Sequence, residues 1–217
     1  MNFNQRIMRH AVQWVVVFTV MFVSCQDYIV ERSASDYFPL SEGDWWQYSR
    51  DDLYNPMTIL VEVEALDTIV QVACYPVNFS DDTRYYAKDS KGISEYVQIT
   101  HTFSGNEYTI AEGFVRRLGL PLVKGAAYTD SIFGSLDVSG ELIYAVHRVD
   151  EFVADYEDDD LYGSVYRVSI TAVTSISYQD STVQNGYQVE EYYAPGIGLV
   201  RFDVDDGSYR LIDYEIE

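Results

Sequence analysis

SVYRVSITAVTSISY, Ser164 to Tyr178, sets Tyr166, Val168, Ile170, Ala172, Ile176 and Tyr178 against Arg167, Ser169, Thr171, Ser175 and Ser177. A two-residue period puts the first set on one face of an extended chain and the second on the other. The stretch predicts a half-solvated antiparallel strand, long enough to bend or to serve more than one partner. TILVEVEA, Thr58 to Ala65, repeats the pattern: Ile59, Val61, Val63 and Ala65 share a face while Glu62 and Glu64 point away.

Turn chemistry separates such runs. Asp89-Ser90-Lys91-Gly92, Asn185-Gly186 and Asp206-Gly207 supply residues that tolerate positive φ between β-rich flanks, so each predicts a hairpin. The last joins the segment Gly198 to Asp203 with Ser208 to Ile216. The expectation is an all-β domain: a single antiparallel meander of about ten strands that buries one face as a curved sheet, a half-barrel or a barrel.

One pattern occurs twice. Phe38-Pro39-Leu40-Ser41-Glu42-Gly43-Asp44-Trp45-Trp46 aligns with Leu120-Pro121-Leu122-Val123-Lys124-Gly125-Ala126-Ala127-Tyr128, both apolar-Pro-Leu-x-x-Gly-x-x-aromatic. Proline fixes φ, leucine plugs the core, glycine makes the reversal and the aromatic opens the next strand.

The first residues decide the address. Arg6 and Arg9 precede an apolar run from Ala11 to Val23, broken only by Gln13 and Thr19. At about 1.5 Å per residue such a run spans roughly 20 Å, short of the roughly 30 Å hydrocarbon core, so it reads as a secretory leader. Phe22-Val23-Ser24-Cys25 resembles the bacterial lipobox. The resemblance implies a diacylglycerol on the Cys25 thiol and cleavage just before it, giving a leader 1–24, a lipidated tether 25–36 and a β-domain 37–217. By resemblance to the enterobacterial sorting rule, Gln26 in place of aspartate implies the outer membrane, with the face open between periplasm and cell surface.

The formal charge is −21, and loss of Arg6 and Arg9 with the leader makes it −23. Such a field repels nucleic acid and anionic headgroups. With Cys25 acylated, Cys74 stands alone, and its apolar neighbours mark it as a small buried hydrophobe. His101 and His147 are far apart and fit no ligand spacing, and no nucleophile elbow, phosphate loop or dinucleotide fingerprint occurs, so no cofactor or metal is expected and enzymatic activity has no visible parts. The run Asp155 to Asp160 lacks calcium-loop spacing and reads as a solvated loop.

Tyr37-Phe38-Pro39-Leu40 with Gly43, Trp46 and Tyr48, together with Tyr193-Ala194-Pro195-Gly196-Ile197-Gly198-Leu199-Val200, resembles a group of small Bacteroidota secreted and lipoprotein domains, mostly of unknown function. The pattern is also similar to half-barrel lipid-carrier lipoproteins. These resemblances imply a fold and carry no chemistry of their own. Asp67-Thr68-Ile69, Asp130-Ser131-Ile132 and Asp180-Ser181-Thr182 resemble sites that Bacteroidota O-glycosylate.

Twenty tyrosines are the remaining signal. Among them Tyr85, Tyr86, Tyr192 and Tyr193, with Tyr96, Tyr108 and Tyr187, offer flat rings for stacking a ligand, or else simply suit half-wet pleated faces. The expected role is a non-enzymatic binding module for an envelope protein, a glycan or an apolar ligand. The alternative is a structural or accessory subunit of an outer-membrane complex. Oligomeric state is not encoded in any feature above.

Overall fold

A computed structural model describes residues 37–51, 56–80, 82–205 and 207–216; Cys25 and the leader lie outside them. Every element among the described residues is a strand. They are β1 (Trp45–Arg50), β2 (Thr58–Val63), β3 (Asp67–Ile69), β4 (Val72–Phe79), β5 (Asp82–Asp89), β6 (Gly92–Phe103) and β7 (Asn106–Gly119), then β8 (Ala127–Val138), β9 (Glu141–Asp159), β10 (Gly163–Tyr178), β11 (Ser181–Ala194), β12 (Gly198–Val204) and β13 (Gly207–Glu215). All pairs are antiparallel, in the order β7-β6-β5-β4-β2-β1-β13-β12-β11-β10-β9-β8, with β3 attached to β4. Consecutive strands are neighbours almost throughout, the low-cost topology of a meander. The first and last strands pair with each other in the middle of this order, Trp45 opposite Glu215, and the sheet curls until its two outer strands, β7 and β8, come together as a nearly closed barrel.

The predicted long strand is β10, and it does bend. A bulge between Tyr166 and Val168 shifts its register against β9, so Val165 joins Val168, Ile170 and Ala172 inside. Strand β9 shows the same alternation as far as Val153: Ile143, Ala145, His147, Val149, Glu151 and Val153 face in, and Leu142, Tyr144, Val146 and Phe152 face out.

The repeated Pro-Leu-x-x-Gly pattern is one backbone device used twice. Gly43 donates to the Val63 carbonyl at 3.0 Å and Gly125 to that of Val153 at 2.8 Å. Val63 and Val153 return bonds of 2.9 Å to the carbonyls of Asp44 and Ala126. Both glycines have positive φ, 96° and 79°, and Leu40 and Leu122 are both buried. Each copy opens a six-strand meander, β1 to β7 without β3 and β8 to β13.

The two meanders meet a second time at β7 and β8, but no ladder joins these strands among the described residues. They overlap instead. A β-carbon at Gly134 would sit 2.0 Å from the Ile110 carbonyl oxygen, and one at Gly119 would sit 2.6 Å from the Tyr128 ring. Glycine alone permits that approach. The Arg116 amide donates to the Asp130 carboxylate across the overlap at 2.8 Å, and a small core of Ile99, Ile110, Ala111, Val138, Ile143 and Ala145 fills it.

Three sequence expectations change. Asn185-Gly186 is no turn: both residues lie within β11, opposite Thr174 and Val173, and Gly186 is needed because a β-carbon there would meet the Ala172 carbonyl oxygen at 2.6 Å. The reversal comes earlier, at Gln179, whose φ is 50°. The acidic run is strand rather than loop, since β9 continues to Asp159 while Asp155, Glu157 and Asp159 pair with Lys124, Arg167 and Arg210. The described residues form thirteen strands, against the ten or so expected.

Candidate functional site

The main core does not fill the barrel. A cavity of about 660 Å³ remains between the walls, within the roughly 300–1,000 Å³ typical of small-molecule sites. The two sequence motifs build its floor. Phe38 sets its ring 5.7 Å from that of Tyr86 and 6.3 Å from that of Tyr193. The Trp46 indole donates to the Ile197 carbonyl and the Tyr48 hydroxyl to that of Leu199, both at 2.8 Å. A β-carbon at Gly198 would touch Pro39 at 3.0 Å, so the opening and closing motifs lock against each other.

The walls are Ile59, Val61, Val77, Phe79 and Val189, with Phe202 stacked on Tyr209 at 4.8 Å. At the mouth gather Met57, Ser80, Asp82, Tyr187, Gln188 and Asp205, which come from the turns after β1, β4 and β12, from the first residue of β5 and from the stretch of β11 that precedes its pairing with β12. Met57 and Tyr187 are about half exposed, and their apolar surface continues the cavity outward.

A buried polar bridge crosses the interior beside the cavity. Arg117 of β7 pairs with Glu191 of β11 and, at 3.0 Å, with Glu95 of β6. Burial pulls the guanidinium down, but Glu191, Tyr86 and Glu95 hold it well above its ordinary range. Glu191 spends one oxygen on Arg117 and the other on the Tyr193 hydroxyl, which donates at 2.5 Å. Burial first, then the Glu191 charge, keeps that phenol protonated far above the usual range.

Deeper in the wall, Glu151 accepts from the Gly119 amide at 2.5 Å, and its other oxygen is buried with no partner. Desolvation pushes this carboxyl up to about 8. It is therefore a neutral acid at pH 7. His147, on the same face, contacts the Thr174 hydroxyl at 2.8 Å and is held below its ordinary value by burial.

Neighbouring residues on a strand point to opposite faces, so the sequence-predicted tyrosine pairs split. Tyr86 and Tyr193 line the cavity and are buried. Tyr85 turns outward toward Tyr96, ring centroids 6.5 Å apart, whereas Tyr192, at a bulge beside Tyr193, is also buried and lies under the Arg201 guanidinium at 4.5 Å, away from the cavity lining. Tyr187 reaches the mouth, while Tyr108 packs into the small second core. Cys74 is buried, and burial pushes its thiol up, opposite to the direction a nucleophile needs. Thr68, Ser131 and Ser181 are all exposed.

Sequence reading missed Arg117, Glu191 and Glu151. A signal existed for two of them: each glutamate interrupts an apolar period-two series, Tyr187-Val189-Glu191-Tyr193 and Val149-Glu151-Val153. A charge on a core-facing register is the mark of a buried network.

Fold and site together define a class: a lone β-meander wrapped around an aromatic, half-open cavity with compensated charge in its wall. No protein-family model and no curated protein matches the chain. Two solved structures are similar to it. One is described as a lipoprotein from Parabacteroides distasonis, 15% identical, with 85% of this chain and 100% of that one covered and a TM-score of 0.40. The other is described as an exported protein with a YmcC-like fold from Bacteroides fragilis, 14% identical, with 82% and 98% covered and a TM-score of 0.30.

Proposed function

We propose that this chain is a non-enzymatic envelope lipoprotein, held in the outer membrane by acylated Cys25, whose barrel binds an apolar ligand. The cavity carries this reading. A tightly packed interior would have left no room for such a ligand, whereas about 660 Å³ stays open between walls lined largely by aromatic and aliphatic side chains. Burying that surface is favourable by roughly 25 cal/mol for each Å² removed from water. The charged groups in the wall are already paired, so they fix the shape of the cavity and do not attack its contents.

The test uses the full chain in zwitterionic nanodiscs and radiolabelled dodecanol in equilibrium dialysis, with empty discs as the blank. Saturable binding above the blank is expected. It is lost in Val61→Phe/Val77→Phe/Val189→Phe, which narrows the cavity from the paired strands β2 and β4 and from β11, with folding checked by near-ultraviolet circular dichroism. Binding no greater than the blank removes the reading. The anchor is tested separately: mass spectrometry of the outer-membrane fraction should find a lipidated Cys25 at the new N-terminus, and an unmodified thiol there counts against it.

A second reading, an accessory subunit of an envelope complex, is favoured by one observation. On the outer face of β8 and β9, Phe133 is 65% exposed and stacks on Tyr144 at 6.2 Å, with Leu142 and Val146 beside them. Contiguous exposed apolar surface is a common mark of a protein contact. In-cell cross-linking from a photoreactive residue at Phe133 should then capture a discrete partner; no product would remove this reading.

A further inference from the structure

The charges around the cavity narrow its ligand to one class, an inference that rests on the cavity being a binding site. Two guanidiniums reach it, and both are occupied. Arg117 is clamped between Glu95 and Glu191. Arg84 donates to Asp82 at 3.0 Å, lies 3.8 Å from Glu95 and covers the Phe79 ring at 5.1 Å. Arg50, whose side chain borders Gly207 near the mouth, is itself engaged.

An anionic headgroup entering here would have to compete for these cations with their own carboxylates. Displacing Glu191 would strand a charge that is only 2% exposed, a costly exchange. The rim adds to the repulsion. Asp82 and Asp205 are exposed at the mouth, and the whole chain carries −21. An uncharged head meets no such opposition and finds the Tyr187 hydroxyl, Gln188 and Ser80 for hydrogen bonds. An ammonium gains from Asp82 and Asp205 as well.

We infer that the cavity accepts long-chain amphiphiles with uncharged or cationic heads and excludes those with carboxylate or phosphate heads. The full chain in zwitterionic nanodiscs is dialysed against labelled dodecanol, dodecylamine or dodecanoate at neutral pH, again with empty discs as the blank. Dodecanoate is expected to bind on the order of tenfold more weakly than dodecanol, and dodecylamine at least as tightly as dodecanol. Added salt should narrow the gap, because the rim charges are solvent-facing.

Asp82→Asn/Asp205→Asn tests the cause at exposed positions that should not disturb folding. It removes two rim charges and releases Arg84 from one partner, so the ratio between dodecanoate and dodecanol should move toward unity. Dodecanoate binding as well as dodecanol in the native chain overturns the selectivity and leaves the cavity reading standing. A ratio that the double variant and salt both leave unchanged overturns the electrostatic origin. Binding of none of the three overturns the selectivity and the cavity reading together.

Discussion

Glu151 and His147 face the same interior, and burial moves their titrations in opposite directions. The Glu151 carboxyl keeps its proton up to about 8 in the folded chain, against 4.5 for an ordinary glutamate. Between those values the native state holds a proton that the unfolded state has released, so stability falls as pH rises, by roughly 1.4 kcal/mol per unit from this group. Glu151→Gln mimics the neutral acid and removes that slope. Urea midpoints on either side of the window should show the variant gaining on the native chain toward alkaline pH. His147, held below its ordinary 6.5, works from the other side: the unfolded chain takes up a proton first, and stability is lost as pH drops through that value.

Arg117 answers to a different balance. Arg117→Met leaves Glu191 buried without its cation and should cost about 3–5 kcal/mol in urea unfolding. Adding Glu191→Leu should recover part of that loss, since the uncompensated charge is then gone. Neither residue could be assigned to the interior from composition, because a glutamate or arginine in a strand is usually solvated. The apolar series around Glu191 marks that residue as interior, as another does Glu151, and nothing comparable marks Arg117.

Among the elements, the two Pro-Leu-x-x-Gly turns were the most legible, because proline, leucine and glycine each have one physical task there. Their left-handed glycines set the reversal that lets Val63 and Val153 bond back to the turn. Gly125→Ala, in open space but at a φ of 79°, should cost about 1–2 kcal/mol from backbone strain alone. Thermal melting of Gly43→Ala and Gly125→Ala should show similar losses if the two turns are equivalent. Asn185-Gly186 was misread for an instructive reason: the dipeptide signals a turn only where strands must reverse, and here the glycine serves a close approach to Ala172. Local chemistry was the same, and the tertiary neighbour decided.

At the scale of the molecule, alternation along the strands told which residues face inward, and the all-β meander followed from it. Alternation says nothing about radius. Whether twelve strands in one path close on a filled core or on a cavity depends on how many of them share the curve and how strongly they tilt, and no single strand records either. The cavity was therefore invisible in the sequence, although the motifs that form its floor were in plain view. The pairing of their distant positions, Trp46 with Ile197 and Tyr48 with Leu199, emerges only once the ends of the chain meet.

The meeting of β1 with β13, set against the unladdered overlap of β7 with β8, also means that covalent order can be rearranged. Joining residue 216 to residue 37 through a short flexible linker, and cutting between Val123 and Lys124, both exposed, gives a circular permutant that begins with β8 and ends with β7. Its new ends fall where no backbone ladder has to be broken. Such a permutant should melt cooperatively but below the parent, because the cut leaves every pairing of the sheet intact yet opens the turn that the Ala126 amide closes on the Val123 carbonyl.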